Sequence, residues 1–388
     1  MPDLATHTLL VTVSGDDRPG VTSTLFDAIA DVGAEVLDLE QVVVRGHLTL
    51  ALLLAAGPQD TRLRDVVTTV ATSLGMHVTV ASGSGDNAPR RSGRAAVVLL
   101  GAPLLASAVA AVTTRIATHG ANIDRIRRLS RYPVTTVEFD ISGADVAVLR
   151  SELSLEAAVR GVDIAVAPAG LARRGRRLIV IDVDSTLMQD EVIDLLDGHD
   201  GREAWVAGVT AAAMRGDLDF ADGLRARVAT LAGLPLSVLD EVGNEIRLTP
   251  GARTLVRTLK RLGFTVAVVS GGFIEVVAPI AAELDIDRAH ANRLEVKDGF
   301  LTGALVGEIV DRQGKAAALR RFAAEEHLPL SRTVAIGDGA NDLDMLSAAG
   351  LGIAFNAKPI VRDQADTSVN VPYLDAVLYL LGITREEI

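Results

Sequence analysis

Hydrophobic and polar positions along residues 1–168 follow a pattern that occurs twice, with an offset of about 87 residues. Each copy is read as strand, helix, strand, strand, helix, strand. This order is typical of a ferredoxin-like α+β domain, a fold that hosts many functions and by itself identifies none. The predicted elements are 8–13, 20–32, 36–45, 48–55, 61–74 and 76–81 in the first copy, and 95–100, 104–118, 122–130, 134–141, 144–158 and 161–167 in the second.

Glycines end the predicted helices at corresponding places in the two copies. Gly33 and Gly120 follow the first helix, and Gly75 and Gly161 follow the second. Helices often end in a residue of left-handed conformation, and glycine adopts that conformation at the lowest cost. The agreement favours duplication over coincidence.

From residue 178 onward the pattern changes to short apolar runs separated by helical stretches. Runs rich in Val, Ile and Leu are typical of strands buried on both faces of a parallel sheet. We therefore predict a doubly wound α/β domain. Its strands are predicted at 178–183, 264–269, 333–337 and 350–354.

Two insertions interrupt this α/β pattern. Residues from about 188 to 250 are mostly helical and far more numerous than one crossover requires, so we interpret them as a cap over the site. Residues 292–306 have Asp298-Gly299 at their centre, which predicts a β-hairpin.

Composition sets limits on the kind of protein. The 388 residues are 49% apolar and 3% aromatic, and a net charge of −12 disfavours a nucleic-acid partner. The absence of cysteine excludes a disulfide framework, a thiolate nucleophile and a zinc–thiolate site. No apolar run approaches the ~18 residues of a membrane span, and Met1-Pro2-Asp3 does not begin a signal peptide. We expect a soluble, cytoplasmic protein with no membrane partner.

The formal charge changes between blocks, from −6 over the first 90 residues to +6 up to residue 177 and −12 beyond. Linker-like sequence lies at both changes. The first linker is rich in Gly, Ser and Asn, and the second is rich in Gly and Arg. The predicted domains are 1–83, 94–168 and 178–388.

Carboxylates follow two of the predicted strands of the third block. Asp182-Val183-Asp184-Ser185-Thr186 comes after one strand, and Gly337-Asp338-Gly339-Ala340-Asn341-Asp342 comes after another. Ligands of open α/β sheets bind at the carboxyl ends of the strands, so these segments are expected to meet. Several carboxylates in one crevice need a cation, and Mg²⁺ prefers oxygen ligands and often holds substrate phosphates.

The spacing of Asp182 and Asp184 suits phosphoryl transfer. Alternate residues of an extended strand face the same way, so one carboxylate can attack phosphorus while the other handles the proton of the leaving oxygen. A carboxylate nucleophile gives an aspartyl phosphate, which water then hydrolyses. We expect Asp338 to share the metal with the Asp182 carboxylate and the Asp184 backbone carbonyl.

Other segments add groups that suit a phosphate. Ser270-Gly271-Gly272 follows the predicted strand 264–269 and can offer a hydroxyl and backbone N–H groups at a helix start. Lys315, one of four lysines, can supply positive charge. Asn341 and Asp342 lie one helical turn past Asp338 and can orient the phosphate and the hydrated metal, respectively.

The segment Asp16-Asp17-Arg18-Pro19-Gly20-Val21 resembles the Asp-Arg-Pro-Gly turn of ACT domains. That resemblance implies an amino-acid effector near Asp17, Arg18 and Gly20, and pairing of sheet edges in a homodimer. A capped turn without a ligand is the alternative. The second copy has Gly101-Ala102-Pro103 there, so it is expected to serve mainly for sheet pairing and dimerisation.

The motifs of the third block resemble those of the haloacid dehalogenase superfamily, and within it the phosphoserine phosphatase family. The resemblance covers residues 178–388 and implies hydrolysis of O-phospho-L-serine as the last step of serine biosynthesis. It implies that Asp182 is the nucleophile and Asp184 the acid/base. It assigns phosphate binding to Ser270, Gly271, Lys315 and Asn341, and Mg²⁺ binding to Asp182, Asp184 and Asp338.

Substrate choice is expected to depend on the cap. Phosphoserine needs a carboxylate for its ammonium group and a cation for its carboxylate, and Glu191 and Arg227 fit these roles. Met214 and Phe220 are expected to enclose the methylene stem. Two alternatives stay open: a phosphatase or phosphotransferase for another small phosphomonoester, and an amino-acid sensor with a silent phosphatase fold.

Overall fold

The computed structural model describes residues 7–55, 60–84, 92–169, 175, 177–198 and 220–388. They belong to two compact bodies, one formed within residues 1–90 and the other within residues 91–388. Among the described residues no helix is long and apolar enough to cross a membrane. The cytoplasmic location stays a prediction.

The first body is a four-stranded antiparallel sheet with two helices. Its strand order is β2-β3-β1-β4, as expected for a ferredoxin-like domain. Alternate residues of β1, among them Leu9, Val11 and Val13, are buried against the helices. The elements are β1 (His7–Asp16), α1 (Val21–Val32), β2 (Glu35–Val44), β3 (His47–Ala55), α2 (Asp60–Ser73) and β4 (His77–Ser84).

The second copy has the same topology, with strand order β6-β7-β5-β8. Its helices begin two residues later than predicted; the second starts after Asp145, whose carboxylate accepts hydrogen bonds from the N–H groups of Ala147 and Val148. The C-terminal glycines behave as predicted, since Gly33, Gly75, Gly120 and Gly161 all have φ between 62° and 72°. The elements are β5 (Ala95–Gly101), α3 (Ala106–Thr118), β6 (Asn122–Ser130), β7 (Thr135–Ser142), α4 (Val146–Arg160) and β8 (Asp163–Pro168).

The two copies differ in what covers their sheets. Every residue of β5 is buried, whereas β1 alternates between buried and less buried positions. Val98 and Leu100 of β5 belong to the same hydrophobic cluster as the strands of the α/β domain. The second copy therefore packs both faces of its sheet, and the unbroken apolar run Ala95–Leu100 carried that signal in the sequence.

The α/β domain is built on a seven-stranded sheet of order β12-β11-β10-β9-β13-β14-β15. All neighbouring pairs are parallel except β11 and β12, which form the predicted hairpin around Asp298 and Gly299. The last strand has only three residues, too few for a periodic pattern, and was not predicted. The strands are β9 (Leu178–Asp182), β10 (Thr265–Phe273), β11 (Arg288–Lys297), β12 (Phe300–Val306), β13 (Thr333–Gly337), β14 (Leu351–Phe355) and β15 (Thr367–Val369).

Helices cover the sheet and form the described part of the cap. The cap prediction is supported by three helices between residues 192 and 245, and residues 199–219 lie outside the described part. The helices are α5 (Val192–Gly198), α6 (Phe220–Thr230), α7 (Ser237–Glu245), α8 (Ala252–Arg261), α9 (Ile274–Glu283), α10 (Arg312–Glu325), α11 (Leu343–Ala348), α12 (Pro359–Arg362) and α13 (Val377–Leu380).

Candidate active site

A cleft of about 380 Å³ opens at the carboxyl ends of β10, β9, β13 and β14, four neighbouring strands. Its walls include residues from the strand ends, from the described part of the cap and from the first turn of α10. Most predicted site residues of the third block meet here. They are Asp182, Asp184, Glu191, Arg227, Gly271, Lys315, Asp338 and Asn341.

Beneath the cleft, Lys315 joins two carboxylates. Its Nζ lies 2.6 Å from Asp182 Oδ1 and 2.7 Å from Asp342 Oδ1. All three residues are almost fully buried, with Lys315 1% exposed and Asp182 2% exposed. Asp311, the N-cap of α10, accepts a hydrogen bond from the Gly314 N–H and so fixes the turn that carries the lysine.

The burial of these charges changes their protonation. Burial raises the pKa of Asp182 well above its usual range, the Asp342 carboxylate adds to this effect, and Lys315 opposes it. Burial alone would lower the pKa of Lys315, but Asp182 and Asp342 hold it above the usual value of a lysine. The lysine is therefore charged, and a cation bound beside the carboxylates would favour their ionised form.

Asp184 is held beside the cleft by two donors. Ser270 Oγ donates to its Oδ2 at 2.6 Å, and the Val192 N–H donates to its Oδ1 at 3.0 Å. Asp182 and Asp184 both line the cleft, although Ser185 between Asp184 and Thr186 has a left-handed φ of 56°. The strand-like alternation thus ends at Asp184, and a tight turn follows it.

Asp338, which follows the neighbouring strand β13, completes the group of acidic side chains. Thr186 Oγ1 donates to its Oδ1 at 3.2 Å. Burial, together with the nearby Asp342 carboxylate, raises the pKa of Asp338 to about 6. Asp182, Asp338 and Asp342 each offer one carboxylate oxygen, and these oxygens lie within 4.8 Å of one another. Three carboxylates form a donor set that suits a hard cation.

Asp342 is expected to act through the hydrated metal, and that role stays a prediction. Its carboxylate lies with those of Asp182 and Asp338 in a group of three that could hold a metal ion. It also accepts hydrogen bonds from Lys315 and from the Gly339 N–H. The Asp184 carboxylate, by contrast, is turned toward Ser270 and is not part of that group.

The elements around Ser270 have bounds different from those predicted, whereas phosphate binding by Ser270 and Gly271 stays a prediction. Strand β10 runs on to Phe273 with an irregular register after Val269, and α9 begins only at Ile274. The Gly272 N–H donates to Ser270 Oγ at 2.7 Å, so this amide is not free for phosphate. A Cβ at Gly272 would lie 3.0 Å from Ser270 Oγ and 3.1 Å from Asp184 Oδ2, which explains the glycine.

The cap residues are only partly described. Glu191 and Arg227 line the cleft, and Glu191 accepts a hydrogen bond from Ser185 Oγ at 3.1 Å. Desolvation in the cleft, and next the Asp184 carboxylate, raise the pKa of Glu191. Met214 lies outside the described residues, and Phe220 begins α6 with a side chain that also lies outside them.

The contribution of β14 to the site was not predicted from the sequence. Asn356, Lys358, Ile360 and Val361 follow this strand and line the cleft. Ligands bind at the carboxyl ends of parallel strands, and this rule also applies to the predicted strand 350–354, because polar residues follow it. The sequence therefore contained a signal for these residues.

In the first body, the predicted effector turn is exposed. Gly20 has φ 96° and precedes α1, a conformation that glycine adopts without strain. The Arg18 guanidinium donates to the backbone carbonyl of Leu74, and the Asp17 N–H donates to that of Gly46. Arg18 is thus already bound to its own domain.

Comparison with known families defines the class of protein. A model of haloacid dehalogenase-like hydrolases matches residues 179–347, and models of the ACT domain match residues 7–81 and 94–167. The chain is a haloacid dehalogenase-like hydrolase preceded by two ACT domains, which confirms the fold and the resemblance predicted from the motifs.

Relatives along the whole chain identify the family. The chain is 60% identical to the phosphoserine phosphatase of Streptomyces coelicolor, over 98% of this chain and 93% of that protein. It is 52% identical to phosphoserine phosphatase SerB2 of Mycobacterium tuberculosis, over 98% and 94%. The unliganded structure of a probable phosphoserine phosphatase from Vibrio cholerae superposes with a TM-score of 0.60 at 32% identity, over 75% of this chain and 88% of that one. The chain belongs to the phosphoserine phosphatase family.

Proposed function

We propose that this chain hydrolyses O-phospho-L-serine to L-serine and phosphate, the last step of serine biosynthesis, through an aspartyl-phosphate intermediate. The observation that carries the proposal is the meeting of two sets of side chains in one cleft. Asp182, Asp184 and Lys315 suit phosphoryl transfer, while Glu191 and Arg227 suit the ammonium and carboxylate groups of an amino acid.

In the first half-reaction, a carboxylate oxygen of Asp182 attacks phosphorus. The new bond joins this oxygen to phosphorus, and the bond between phosphorus and the serine oxygen breaks. Asp184 donates a proton to the departing oxygen, and Ser270 Oγ, 2.6 Å from its carboxylate, holds it in place. Lys315 fixes the orientation of Asp182 by its contact with Oδ1.

In the second half-reaction, water attacks phosphorus and the bond to Asp182 breaks. Asp184, which has given up its proton, now accepts one from the water. Phosphate leaves, and Asp182 is regenerated as a carboxylate. Lys315 and Asn341 contribute donors for the phosphate oxygens, with Lys315 as a point charge and Asn341 through its amide.

We propose that the cation is Mg²⁺, held by the carboxylates of Asp182 and Asp338. Asp342, already bound to Lys315, supports the same position. Bound there, the ion would neutralise phosphate oxygens and keep the Asp182 carboxylate ionised. The backbone carbonyl of Asp184, proposed from the sequence as a further ligand, keeps that role in the proposal.

The experiment that tests the function is Mg²⁺-dependent phosphate release across O-phosphoserine, O-phosphothreonine and sugar phosphates. We expect a clear preference for O-phosphoserine and loss of activity with a chelator. Asp182→Asn is expected to abolish turnover, and Asp184→Asn to slow both half-reactions. Equal rates on all substrates would instead favour the second candidate, a phosphatase or phosphotransferase for another small phosphomonoester.

The third alternative, a sensor with a silent phosphatase fold, predicts the loss of a catalytic side chain. The chain retains Asp182, Asp184, Lys315 and Asp338, and all four line the cleft. This argues against a silent site.

We keep the division into domains 1–83, 94–168 and 178–388 as a proposal, supported by the residues that the three family models match. We further propose that an amino-acid effector binds near Asp17, Arg18 and Gly20. Calorimetric titration of the full chain with single amino acids tests this. Binding that is lost in Gly20→Val would support the site, and unchanged binding in that variant would exclude it.

We propose that the protein is a homodimer that pairs through β2. This strand lies at the edge of its sheet, and Leu39, Val42 and Val44 on it are 49%, 56% and 62% exposed. Sedimentation equilibrium of Val42→Glu and of the unmodified chain tests the proposal. A shift from dimer to monomer supports it, and a dimer that persists contradicts this choice of edge.

A further inference from the structure

The loop after β14 places an exposed cation, Lys358, at the cleft, and the reaction above does not use it. Lys358 is the N-cap residue of α12 and lines the cleft together with Asn356, Ile360 and Val361. Its strand is the neighbour of β13, whose end carries Asp338. Lys358 therefore reaches the site from the same sheet edge as the catalytic carboxylates.

Within the described residues, no side chain of the protein neutralises the charge of Lys358. Its ammonium group makes no ion pair or side-chain hydrogen bond there, whereas the Lys315 ammonium is bound to both Asp182 and Asp342. Arg227, which also lines the cleft, is likewise without an ion pair among the described side chains. Two cations of the cleft thus face space that a ligand can occupy.

The depth of the cleft indicates which part of the substrate Lys358 meets. Asp182 and Lys315 are at most 2% exposed and form the floor, whereas Lys358 is exposed at the mouth. Phosphorus must reach Asp182, so the amino-acid end of phosphoserine remains toward the mouth. Among the described residues, four carboxylates line the cleft and would repel the substrate's own carboxylate, so a second cation beside Arg227 offsets that repulsion.

Hydrogen bonds hold the backbone of Lys358 in place. Its carbonyl accepts hydrogen bonds from the N–H groups of Val361 at 2.9 Å and Arg362 at 3.2 Å. Pro359, the first residue of α12, restricts the turn, and Ala357 before it is buried. Only the side chain of Lys358 has to be ordered when a ligand binds.

We propose that Lys358 binds the α-carboxylate of the substrate together with Arg227 and is a specificity-determining residue for the reaction. This inference rests on the proposed hydrolysis of phosphoserine. A lysine contributes a charge-assisted hydrogen bond to a carboxylate, and the loss of one such bond corresponds to about a tenfold change in affinity.

The experiment compares a ligand that has the carboxylate with one that lacks it. The KM for O-phosphoserine and the inhibition constant of O-phosphoethanolamine are measured in the same assay for the unmodified chain, Lys358→Met and Lys358→Arg. Lys297→Met serves as the matched control, because Lys297 lies on the hairpin strand β11 and does not line the cleft. Thermal unfolding of each variant verifies that the fold is retained.

We expect Lys358→Met to raise the KM for O-phosphoserine about tenfold, with kcat changed less than about twofold. The inhibition constant of O-phosphoethanolamine should change less than about twofold, and Lys358→Arg should recover most of the loss. An unchanged KM would overturn the proposal. An equal loss for both ligands would also overturn it, because Lys358 would then act on the phosphate.

The unmodified chain shows whether the proposed function itself fails, independently of the role of Lys358. If that chain releases no phosphate from O-phosphoserine, the function fails in the first arm of the assay. The role of Lys358 then falls with it, because the proposal names the carboxylate of that substrate. If the unmodified chain is active and Lys358→Met behaves like Lys297→Met, only the Lys358 proposal is overturned.

Discussion

Three ionisable side chains, Asp182, Lys315 and Asp342, share one buried position beneath the cleft. The two carboxylates repel each other, and Lys315 contacts both at hydrogen-bond distance. Removal of one partner from a buried group of charges is costly, because the charges that remain are left without compensation. At the scale of single residues, Lys315 therefore supports both the fold and the reaction.

We expect Lys315→Met to lower the free energy of unfolding by about 3–5 kcal/mol and to reduce kcat by about 10²–10³-fold. Urea denaturation and phosphate release measure the two effects. Lys260→Met is the control, because Lys260 makes surface ion pairs with Asp285 and Asp287 and should change stability by less than about 1 kcal/mol. Equal stability of the two variants would contradict the buried charge group.

Glu191 gives the site a dependence on pH. Desolvation and the Asp184 carboxylate raise its pKa, so Glu191 takes up a proton at a higher pH than an ordinary glutamate with a pKa of about 4.3. Only the ionised form attracts the substrate ammonium group, so the KM for phosphoserine should rise as the pH falls. In Glu191→Gln the KM should be higher at neutral pH.

The ratio of the two KM values, Glu191→Gln over the unmodified chain, separates this effect from titration of the substrate. Phosphoserine titrates equally in both assays, so the ratio should fall toward one as the pH is lowered from neutral toward the raised pKa of Glu191. A ratio that stays constant over this range would show that Glu191 does not bind the ammonium group.

The ends of the secondary-structure elements position the side chains of the site. Gly337, the last residue of β13, leaves no room for a side chain: a Cβ there would lie 2.4 Å from Asp342 Cγ and 2.5 Å from Asp342 Oδ2. The small residue at the strand end thus allows Asp342 to fold back toward Lys315.

We expect Gly337→Ala to displace Asp342, to lower stability by about 1–3 kcal/mol and to reduce kcat/KM at least tenfold. Gly243→Ala is the matched control. Gly243 lies within α7, and a Cβ there meets no atom within 4 Å. The control should be stabilised by up to about 1 kcal/mol, because alanine favours the helix. Activity in Gly337→Ala equal to that of the control would contradict the close approach.

The strands of the α/β domain and the site residues at their ends could largely be predicted from the sequence, because strand ends carry recognisable signals. Apolar runs followed by Asp182 and Asp338 predicted both the sheet and the crevice. The pairing of Lys315 with Asp182 could not be predicted, since the two residues are 133 positions apart and their contact depends on how α10 packs against β9. The extension of β10 through Ser270 was missed because glycines normally end a strand pattern.

At the scale of the whole molecule, the second ACT domain and the α/β domain form one body through a polar contact as well as an apolar one. Asp163 of β8 is 3% exposed and accepts hydrogen bonds from Ser368 Oγ at 2.8 Å, Asn370 N at 3.0 Å and Asn370 Nδ2 at 2.6 Å. Thr367 Oγ1 donates to the Ile164 carbonyl beside it. The sequence could not show this contact, because nothing local marks Asp163 as an interface residue.

We expect Asp163→Ala to lower the stability of this body by about 1–3 kcal/mol, because the donors on Ser368 and Asn370 lose the buried acceptor that they share. We expect one thermal transition for this body in the unmodified chain, which should broaden or divide in two in Asp163→Ala as the domains uncouple. Asp145→Ala, which removes the N-cap of α4 in the same domain, should cost about 1 kcal/mol without dividing the transition. Calorimetry distinguishes them, and a sharp single transition in Asp163→Ala would contradict the coupling.

The central claim, that Asp182 carries the phosphoryl group, is tested most directly by trapping the intermediate. Enzyme mixed with O-phosphoserine is quenched in acid and reduced with borohydride, which converts an aspartyl phosphate to homoserine, and peptides are then sequenced by mass spectrometry. We expect homoserine at position 182 and none in the Asp182→Asn variant. Homoserine at another aspartate, or a burst of phosphate release with position 182 unmodified, would contradict it.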